Sequence, residues 1–399
     1  MTPERVGNQH AAVPPGEDAP IYLDHQATTP LDPRVAEAMA PWQGVPANPH
    51  ARHHALGRAA ARAVEEARGR IAAAIGGHAR EIVLTSGATE ADNLAIRGLV
   101  PGPDGRDTVV TVATEHAAVL AAARAVEAAG GRCVIVGVDG AGRVDLDALA
   151  AAVDRRTALV SVMMANNEIG TLQPLDAVAR IARSAGARVH TDAAQALGRV
   201  ALDVGRLDVD LVSLSAHKAY GPAGIGALWV RSRPPTGLRA LMVGGGQQDG
   251  RRPGTVPTAL AVGFGRAAEI AAAEREDEAR RLAGLDARFL DALRSKVEDV
   301  HVIGPELERL PGCVNLAFPD VEAEDLLDAV PGLALSSGAA CATGAPGPSP
   351  VLEAIGVPPM LARCSIRIGA GRGTTAEDMD AAAAALAAAV DTLRRGRAA

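Results

Sequence analysis

The stretch LVSLSAHKAYGP, residues 211–222, joins a short apolar run to a lysine and a Gly-Pro turn. LVSLS is typical of a buried strand, and Lys218 follows its last residue, Ser215, by three positions. A lysine just past the carboxyl end of a strand, in a glycine-rich turn, can serve as a Schiff-base lysine. A solvated loop lysine has the same local sequence, so the stretch gains meaning only from its surroundings.

Those surroundings alternate between short β-rich runs and helical stretches rich in Ala and Arg. Strands that alternate with helices predict an α/β fold with a mainly parallel sheet. Ligands of such sheets bind at the carboxyl ends of the strands, where the polar residues of this sequence gather. The strand-like runs are EIVLTS (81–86), TVVTVATEH (108–116), RCVIVGV (132–138), ALVSVMMAN (158–166), ARVHTD (187–192) and DLVSLS (210–215).

The pattern changes after about residue 265, which predicts a second, smaller α+β domain. A long charged helix (266–296) comes first, followed by the strand-like CVNLAF (313–318) and SIRIGAG (365–371). We therefore expect a disordered lead (1–20), a large α/β domain (21–265) and a small domain (266–399). The first roughly 15 residues of the large domain are expected to pack with the small one.

Composition excludes several classes of protein. The formal charge of −7, from 40 basic and 47 acidic residues, argues against a nucleic-acid surface. The longest apolar run (381–390) is almost all alanine between two aspartates, which predicts a surface helix and no membrane partner. The four cysteines lie far apart, which favours a reducing cytoplasm over a disulfide framework. Cys133, Cys313 and Cys364 lie in or beside apolar runs and are expected to be packing residues.

Asp192 ends the strand-like run VHTD, 26 residues before Lys218. A carboxylate there could hold a pyridinium nitrogen protonated, a recurring feature of pyridoxal phosphate (PLP) sites. An aspartate is also a good helix N-cap, and the local sequence alone leaves both readings open.

TSGATEADNLAI (85–96) reads as a strand end, a glycine turn and a helix start. The N–H groups at such a helix end, here those of Ala88 and Thr89, form a natural phosphate cradle. An ordinary helix-capping motif has the same sequence pattern. The glycine-rich VGGGQQDGRRPGT (243–255) could bring Thr255 to a phosphate or to a neighbouring subunit, or could be a solvated loop.

Other cofactor classes lack their fingerprints. No GxGxxG follows a strand and no GxxxxGK[ST] occurs, which argues against nicotinamide and nucleoside triphosphate sites. His50, His53 and His54 have no accompanying carboxylate or thiol, so we expect no metal site there. A phosphate cradle, an acid and a lysine in this order on an α/β sheet, with a thiol further on, together point to PLP.

The sequence resembles the cysteine desulfurases, in the class V branch of the PLP fold type I enzymes. The resemblance extends over residues 21–375. Within the family, the sequence resembles the long-loop subgroup. It rests on YLDHQATTPLDPRV, NPHARHHALG, TSGATEADNLAI, TEHAAVL, NNEIGTLQP, HTDAAQALG, SAHKAYGPAGIGALWVR, RRPGT, SSGAAC and SIRIGAGR.

The resemblance implies a role for each matching position. Lys218 would bind the cofactor, Asp192 would pair with its ring nitrogen, Gln195 would bond its ring hydroxyl and His116 would stack on the ring. The substrate carboxylate would be held by Asn167, which also lies at the cofactor, and by Arg367. The phosphate ligands would be Ala88, Thr89, Ser215 and His217, with Thr255 supplied by a second subunit.

The resemblance also explains Cys341, which stands in LALSSGAACATGAPGPSPVL (333–352). Small residues and prolines predict a mobile loop, and Cys341 would be the nucleophile that takes sulfur from L-cysteine. The implied protein is a cytoplasmic homodimer that passes its persulfide to an iron–sulfur scaffold or a sulfur carrier, for example for transfer RNA thiolation. A selenocysteine lyase, another class V aminotransferase and a non-catalytic PLP-fold binding protein remain the alternatives.

Overall fold

The computed structural model describes residues 19–102, 104–337 and 349–398. The predicted lead (1–20) lies almost entirely outside this range, and Cys341 lies outside it too. The helices of the described part are α1 (Pro33–Gln43), α2 (Ala55–Ala74), α3 (Ala88–Leu99), α4 (Ala117–Ala128), α5 (Leu146–Ala152), α6 (Leu175–Ser184), α7 (Thr258–Arg294), α8 (Ala323–Ala329), α9 (Pro350–Ala354), α10 (Pro359–Arg363) and α11 (Ala376–Ala398).

The strands of the described part belong to three sheets, and each of the six strand-like runs overlaps one strand. In chain order they are β1 (Ile21–Tyr22), β2 (Ile82–Thr85), β3 (Thr108–Val112), β4 (Arg132–Val136), β5 (Thr157–Ser161), β6 (Arg188–Asp192), β7 (Leu211–Ser215), β8 (Gly226–Val230), β9 (His301–Ile303), β10 (Cys313–Ala317), β11 (Leu333–Ala334), β12 (Ser336–Ser337) and β13 (Ser365–Gly369).

The large sheet has seven strands in the order β2-β8-β7-β6-β5-β3-β4. Its five central and far-edge strands pair in parallel, as predicted, because a helix or a long connection separates each from the next. β8 was not predicted. It pairs antiparallel with both β7 and β2, since only the short segment 216–225 connects it to β7.

Aliphatic side chains fill both faces of this sheet, as the low aromatic content requires. All three phenylalanines are fully buried, one in the large-sheet core (Phe264) and two in a second core (Phe289 and Phe318). Cys313 and Cys364 are buried as expected. Cys133 is only half-buried, because β4 is the edge strand of the sheet.

The second core lies against a four-stranded antiparallel sheet of order β12-β13-β10-β9. β1 pairs with β11, and Asp24 bridges to Gly369, so the beginning of the described chain joins this second unit. α7 starts at Thr258, eight residues before the predicted helix, and contributes residues to both cores. The domain boundary at 265/266 stays a prediction. No helix in the described ranges is long and apolar enough to cross a membrane.

Gly226, at the start of β8, allows a close approach on which the turn before α3 depends. A Cβ there would lie 2.5 Å from Leu214 O and 2.7 Å from Gly87 Cα. Such contacts are shorter than real Cβ atoms tolerate, and backbone must move to relieve them.

We therefore predict that Gly226→Ala lowers the free energy of unfolding by about 1–3 kcal/mol, measured by urea denaturation. Gly69→Ala is the matched control, because a Cβ in the middle of α2 meets nothing within 4 Å. That control should be neutral or stabilising by up to about 1 kcal/mol. Equal effects of the two changes would contradict the proposed close approach.

Candidate active site

The centre of the site is the shared edge of β6 and β7. The two strands run in parallel with Asp192 opposite Ser213, so their carboxyl ends meet at one edge of the sheet. Asp192 ends β6 and is 6% exposed, and its Oδ1 accepts a hydrogen bond from Ala194 N at 2.8 Å. Lys218 ends the 3₁₀ turn Ala216–Lys218, which directly follows β7. The fold therefore brings the predicted acid and lysine together.

Burial lowers the pKa of Lys218, and the charges of Arg367 and Arg199 act in the same direction. The charge of Asp192 opposes this shift. A lysine whose pKa is lowered has a larger neutral fraction, and the neutral amine is the nucleophile. Lys218 is therefore prepared for covalent chemistry, which a solvated loop lysine would not be.

His116 lies close to both groups. Burial lowers its pKa, while the charge of Asp192 raises it and that of Lys218 lowers it. The same ring caps α4, since His116 Nδ1 accepts a hydrogen bond from Ala118 N at 3.1 Å. This hydrogen bond fixes the ring at the strand edge.

The predicted cradle is present as a strand, a turn and a helix start. β2 ends at Thr85, and α3 begins at Ala88 behind Gly87, which supplies no side-chain cap. A Cβ on Gly87 would meet nothing within 4 Å, so the turn borders open space. Glu90 Oε2 accepts a hydrogen bond from Ser86 N at 2.7 Å, just before the helix. This bond leaves the N–H groups of Ala88 and Thr89 without a side-chain cap among the described residues. The first N–H groups of the helix are thus available to an anion.

The other predicted ligands on the β7 side connect to the segment before α1. His217 Nδ1 lies 3.0 Å from Thr28 Oγ1, and Gln195 Nε2 donates to Gln26 O at 2.9 Å. Gln195 Oε1 is buried without a hydrogen-bond partner among the described residues. Ser215 is 2% exposed at the end of β7.

The glycine-rich loop is tied to the cradle by a residue that the sequence did not reveal. Gln248 accepts from Leu84 N and donates to Leu84 O, both at 2.8 Å, and so extends the edge of β2. Arg252 forms a two-armed ion pair with Glu90 in the first turn of α3. Thr255 itself is exposed, and no hydrogen bond joins it to the other site residues within the described ranges.

Arg367, on β13, enters the site from the second unit. It donates to Asp24 Oδ1 at 2.6 Å, to Ser336 Oγ at 3.2 Å and to the backbone oxygen of Asn167 at 3.1 Å. Its Nε is buried without a partner within the ranges that the structure describes. Asp24 was missed from the sequence, because 343 residues separate it from Arg367.

Cys341 and the three clustered histidines are the remaining residues singled out from the sequence. Cys341 lies outside the described residues, so its place and its role stay predictions. His54 caps α2 by accepting from Gly57 N at 3.1 Å, which gives one of the three clustered histidines a structural role.

Sequence reasoning also missed three buried polar residues behind Asp192. They are Asp92, Glu115 and His190, each at most 3% exposed. Asp92 and Glu115 stand in the quoted motifs TSGATEADNLAI and TEHAAVL, and His190 precedes Asp192 by two. The alternation of β6 was the available signal, since it puts His190 and Asp192 on one face.

The fold and this edge define a class of protein. Residues 21–382 match the aminotransferase class-V family, and the chain belongs to it. Within that family it belongs with the cysteine desulfurases, as predicted, and its fold is that of the PLP fold type I enzymes.

Individual relatives support this placement over nearly the whole chain. The cysteine desulfurase IscS of Rickettsia bellii is 46% identical over 377 residues, which cover 94% of this chain and 92% of the relative. The human cysteine desulfurase is 47% identical over 363 residues, covering 90% and 79%. A solved structure of a NifS-like protein is 33% identical, covers 94% and 99%, and superposes with a TM-score of 0.86.

His25 is a buried neutral histidine beside the site. It is 3% exposed, its Nδ1 donates to Gly369 O at 2.8 Å, and Tyr22 contacts its ring edge-on. Burial lowers its pKa to about 3, with the charge of Arg199 acting in the same direction. Below about pH 6.5, His25 of the unfolded chain binds a proton, whereas His25 of the folded chain stays neutral until about pH 3.

This group should therefore cost the fold stability between about pH 6.5 and 3, by about 1.4 kcal/mol for each pH unit at most. His25→Asn, which keeps a donor for Gly369, should make the loss of stability with falling pH shallower by up to that amount. Urea denaturation at several pH values measures the slope. His53→Asn, at an exposed position, is the control. An unchanged slope in His25→Asn would show that His25 is not held neutral.

Proposed function

We propose that this protein is a PLP-dependent cysteine desulfurase, which converts L-cysteine to L-alanine and keeps the sulfur as a persulfide on Cys341. The observation that carries the proposal is the meeting of Lys218 and Asp192 at adjacent strand ends, with the pKa of Lys218 lowered by burial. Membership of the family supports the same reaction.

The residues at this edge fit PLP. Lys218 is the covalent attachment point, and Asp192 is the carboxylate for the ring nitrogen. Gln195 has a buried oxygen in need of a donor, which the ring hydroxyl can supply. The uncapped start of α3, at Ala88 and Thr89, suits the phosphate together with Ser215 and His217. When bound, PLP supplies an electron sink for cleavage at the substrate Cα.

His116 stacks on the ring in this proposal. Its Nδ1 is committed to Ala118 N, so the ring orientation is set by α4 before any ligand arrives. Because burial lowers its pKa, the ring is mostly neutral at pH 7, and it adds no repelling charge beside Lys218.

Arg367 and Asn167 hold the substrate carboxylate. A guanidinium forms two parallel hydrogen bonds to a carboxylate, and the buried Nε of Arg367 has no partner among the residues described. Its present partner, Asp24, keeps the side chain in place at the site. The positive charge of Arg367 also contributes to the lowered pKa of Lys218.

Cys341 is the sulfur acceptor. Its thiolate attacks the sulfur of the substrate, an S–S bond forms as the C–S bond breaks, and a proton on the former Cβ completes alanine. The step needs no external oxidant, because the sulfur changes partners and the thiol becomes a persulfide. A cytoplasmic location suits this chemistry, since a reducing compartment keeps the thiol free.

The proposed function also implies a second copy of the chain and a protein that accepts the sulfur. We propose a homodimer in which Thr255 of one copy completes the phosphate site of the other, since Thr255 is exposed on a loop anchored by Gln248. A protein then accepts the persulfide sulfur, either an iron–sulfur scaffold or a sulfur carrier.

The experiment is alanine release from L-cysteine, in the presence of a reductant, by wild type and Cys341→Ala. The variant should keep the visible absorbance of bound PLP and lose nearly all sulfur transfer, because no thiol then takes the sulfur. Cys364→Ala is the control, since Cys364 is buried at 4% exposure and should retain activity. Full sulfide production by Cys341→Ala would sink the mechanism, and activity on selenocysteine alone would favour the lyase.

A second prediction concerns Arg367→Lys. Lysine keeps the charge but loses the two-armed geometry, so KM for L-cysteine should rise about tenfold to a hundredfold while kcat changes less. Steady-state kinetics measures both. Arg288→Lys, in an exposed ion pair with Asp380, is the matched control and should change neither. An unaltered KM in Arg367→Lys would remove Arg367 from the substrate site.

A further inference from the structure

Two more carboxyl groups lie buried behind Asp192. Asp92 is in α3, four residues after the cradle residue Ala88, and is 0% exposed. Glu115 follows β3 and is 3% exposed. The charge of Asp192 raises the pKa of both groups, which places the three carboxyls in one electrostatic neighbourhood, called here the acid cluster.

Asp92 has the poorest environment for a charge. Neither carboxyl oxygen has a well-formed hydrogen bond among the described residues, the Ser213 hydroxyl being its one nearby donor, and His190 Nε2 is 3.7 Å from Oδ1. Burial raises the pKa of Asp92 well above its usual range, and the charge of Asp192 adds to the shift. The Ser213 hydroxyl and Lys218 act in the opposite direction and do not reverse it.

His190 does not neutralise Asp92. Its Nδ1 lies 2.8 Å from Ser161 Oγ and its Nε2 lies 2.9 Å from Ser213 Oγ, so both nitrogens are used by hydroxyl groups. Complete burial lowers the pKa of His190 to about 3. The imidazole is therefore neutral near pH 7, and within the described residues an ionised Asp92 would then have no cation in contact with it.

Glu115 is only slightly better supported. Its Oε1 accepts from Met163 N at 2.6 Å, but its Oε2 is buried with no partner in the described part of the chain. Burial raises its pKa well above the usual range, and the charge of Asp192 adds to that. One backbone donor does not offset the desolvation of a full charge.

Asp192 is the member of the acid cluster that has partners for a charge. It accepts a hydrogen bond from Ala194 N and interacts favourably with Lys218. Its 6% exposure also makes it the most accessible of the three. Carboxyl groups that share one desolvated site cannot all ionise. The groups with the fewest partners for a charge, Asp92 and Glu115, are therefore the ones expected to keep a proton.

We propose that Asp92 and Glu115 are positioning residues that stay uncharged, and that they thereby confine the negative charge of the acid cluster to Asp192. The role rests on the proposed function, in which Asp192 faces the ring nitrogen of PLP. An ionised Asp92 or Glu115 would put a second negative charge beside Asp192, compete with it for Lys218 and weaken its pairing with that nitrogen. As neutral acids they keep the pocket polar without adding charge.

The test is infrared spectroscopy of the PLP-loaded protein at pH 8, where a protonated carboxylic acid gives a carbonyl band that a carboxylate lacks. We expect such absorption in the wild type, with one component lost in Asp92→Asn and another in Glu115→Gln. Asp286→Asn is the matched control: Asp286 is a buried carboxyl whose pKa burial raises to about 6, so it is ionised at pH 8 and its removal should subtract nothing. Wild-type protein without protonated acid absorption would overturn the proposal whether or not a variant folds. Folded variants that leave the absorption intact would overturn it too, because burial also raises the pKa of Glu168 and only loss in a variant assigns a band to the acid cluster.

A second readout separates a charged from an uncharged Asp92. The pH midpoint of the visible absorbance of bound PLP should move by less than about half a unit in Asp92→Asn and in Glu115→Gln, because no charge is removed. Asp192→Asn should move it by about one unit or more, since a full charge near Lys218 is lost. A shift of half a unit or more in either of the first two variants would overturn the proposal. Failure of the wild type to bind PLP would instead count against the proposed function, and infrared spectra of the PLP-free protein would still decide the protonation of both acids.

Discussion

The parallel pairing of β6 with β7 is the constraint on which the site depends. Because parallel strands carry their carboxyl ends to one edge, Asp192 and the turn holding Lys218 become neighbours although 26 residues separate them. β8 then returns antiparallel against β7 and lies against the Gly87 turn, which sets the cradle beside the same edge. Arg367 completes the arrangement from the second unit, where its pairing with Asp24 links β13 to the beginning of the described chain.

Low dielectric at this edge gives the site its chemistry. Burial there lowers the pKa of Lys218 and His116 and raises that of Asp92 and Glu115, so it favours the neutral form of these four groups. The groups that remain charged are then few, and each interacts strongly with the others. A catalytic lysine needs this balance, because it must be neutral to react and close to an acid to be held in place.

Much of this architecture was predictable from the sequence. Each β-rich run overlapped a strand, and strand ends marked by Asp192 and Ser215 located the site, because the period and the parallel topology follow from local pattern. What failed depends on distant contacts. Gln248 bonds to Leu84, which lies 164 residues away, and Asp24 pairs with Arg367, which lies 343 residues away. The first turns of α7 pack into the core of the large sheet, which the local sequence does not indicate. The dimeric site at Thr255 and the place of Cys341 stay predictions.

The central claim is that sulfur passes from L-cysteine to Cys341, and the most direct measurement is mass spectrometry after a single turnover. PLP-loaded protein mixed with a substoichiometric amount of L-cysteine, then trapped by alkylation and digested, should carry one extra sulfur atom on the peptide that contains Cys341. The amount of modified peptide should equal the amount of alanine formed. Alanine without added sulfur on that peptide, or the extra sulfur on the peptide of Cys133, Cys313 or Cys364 instead, would contradict the account.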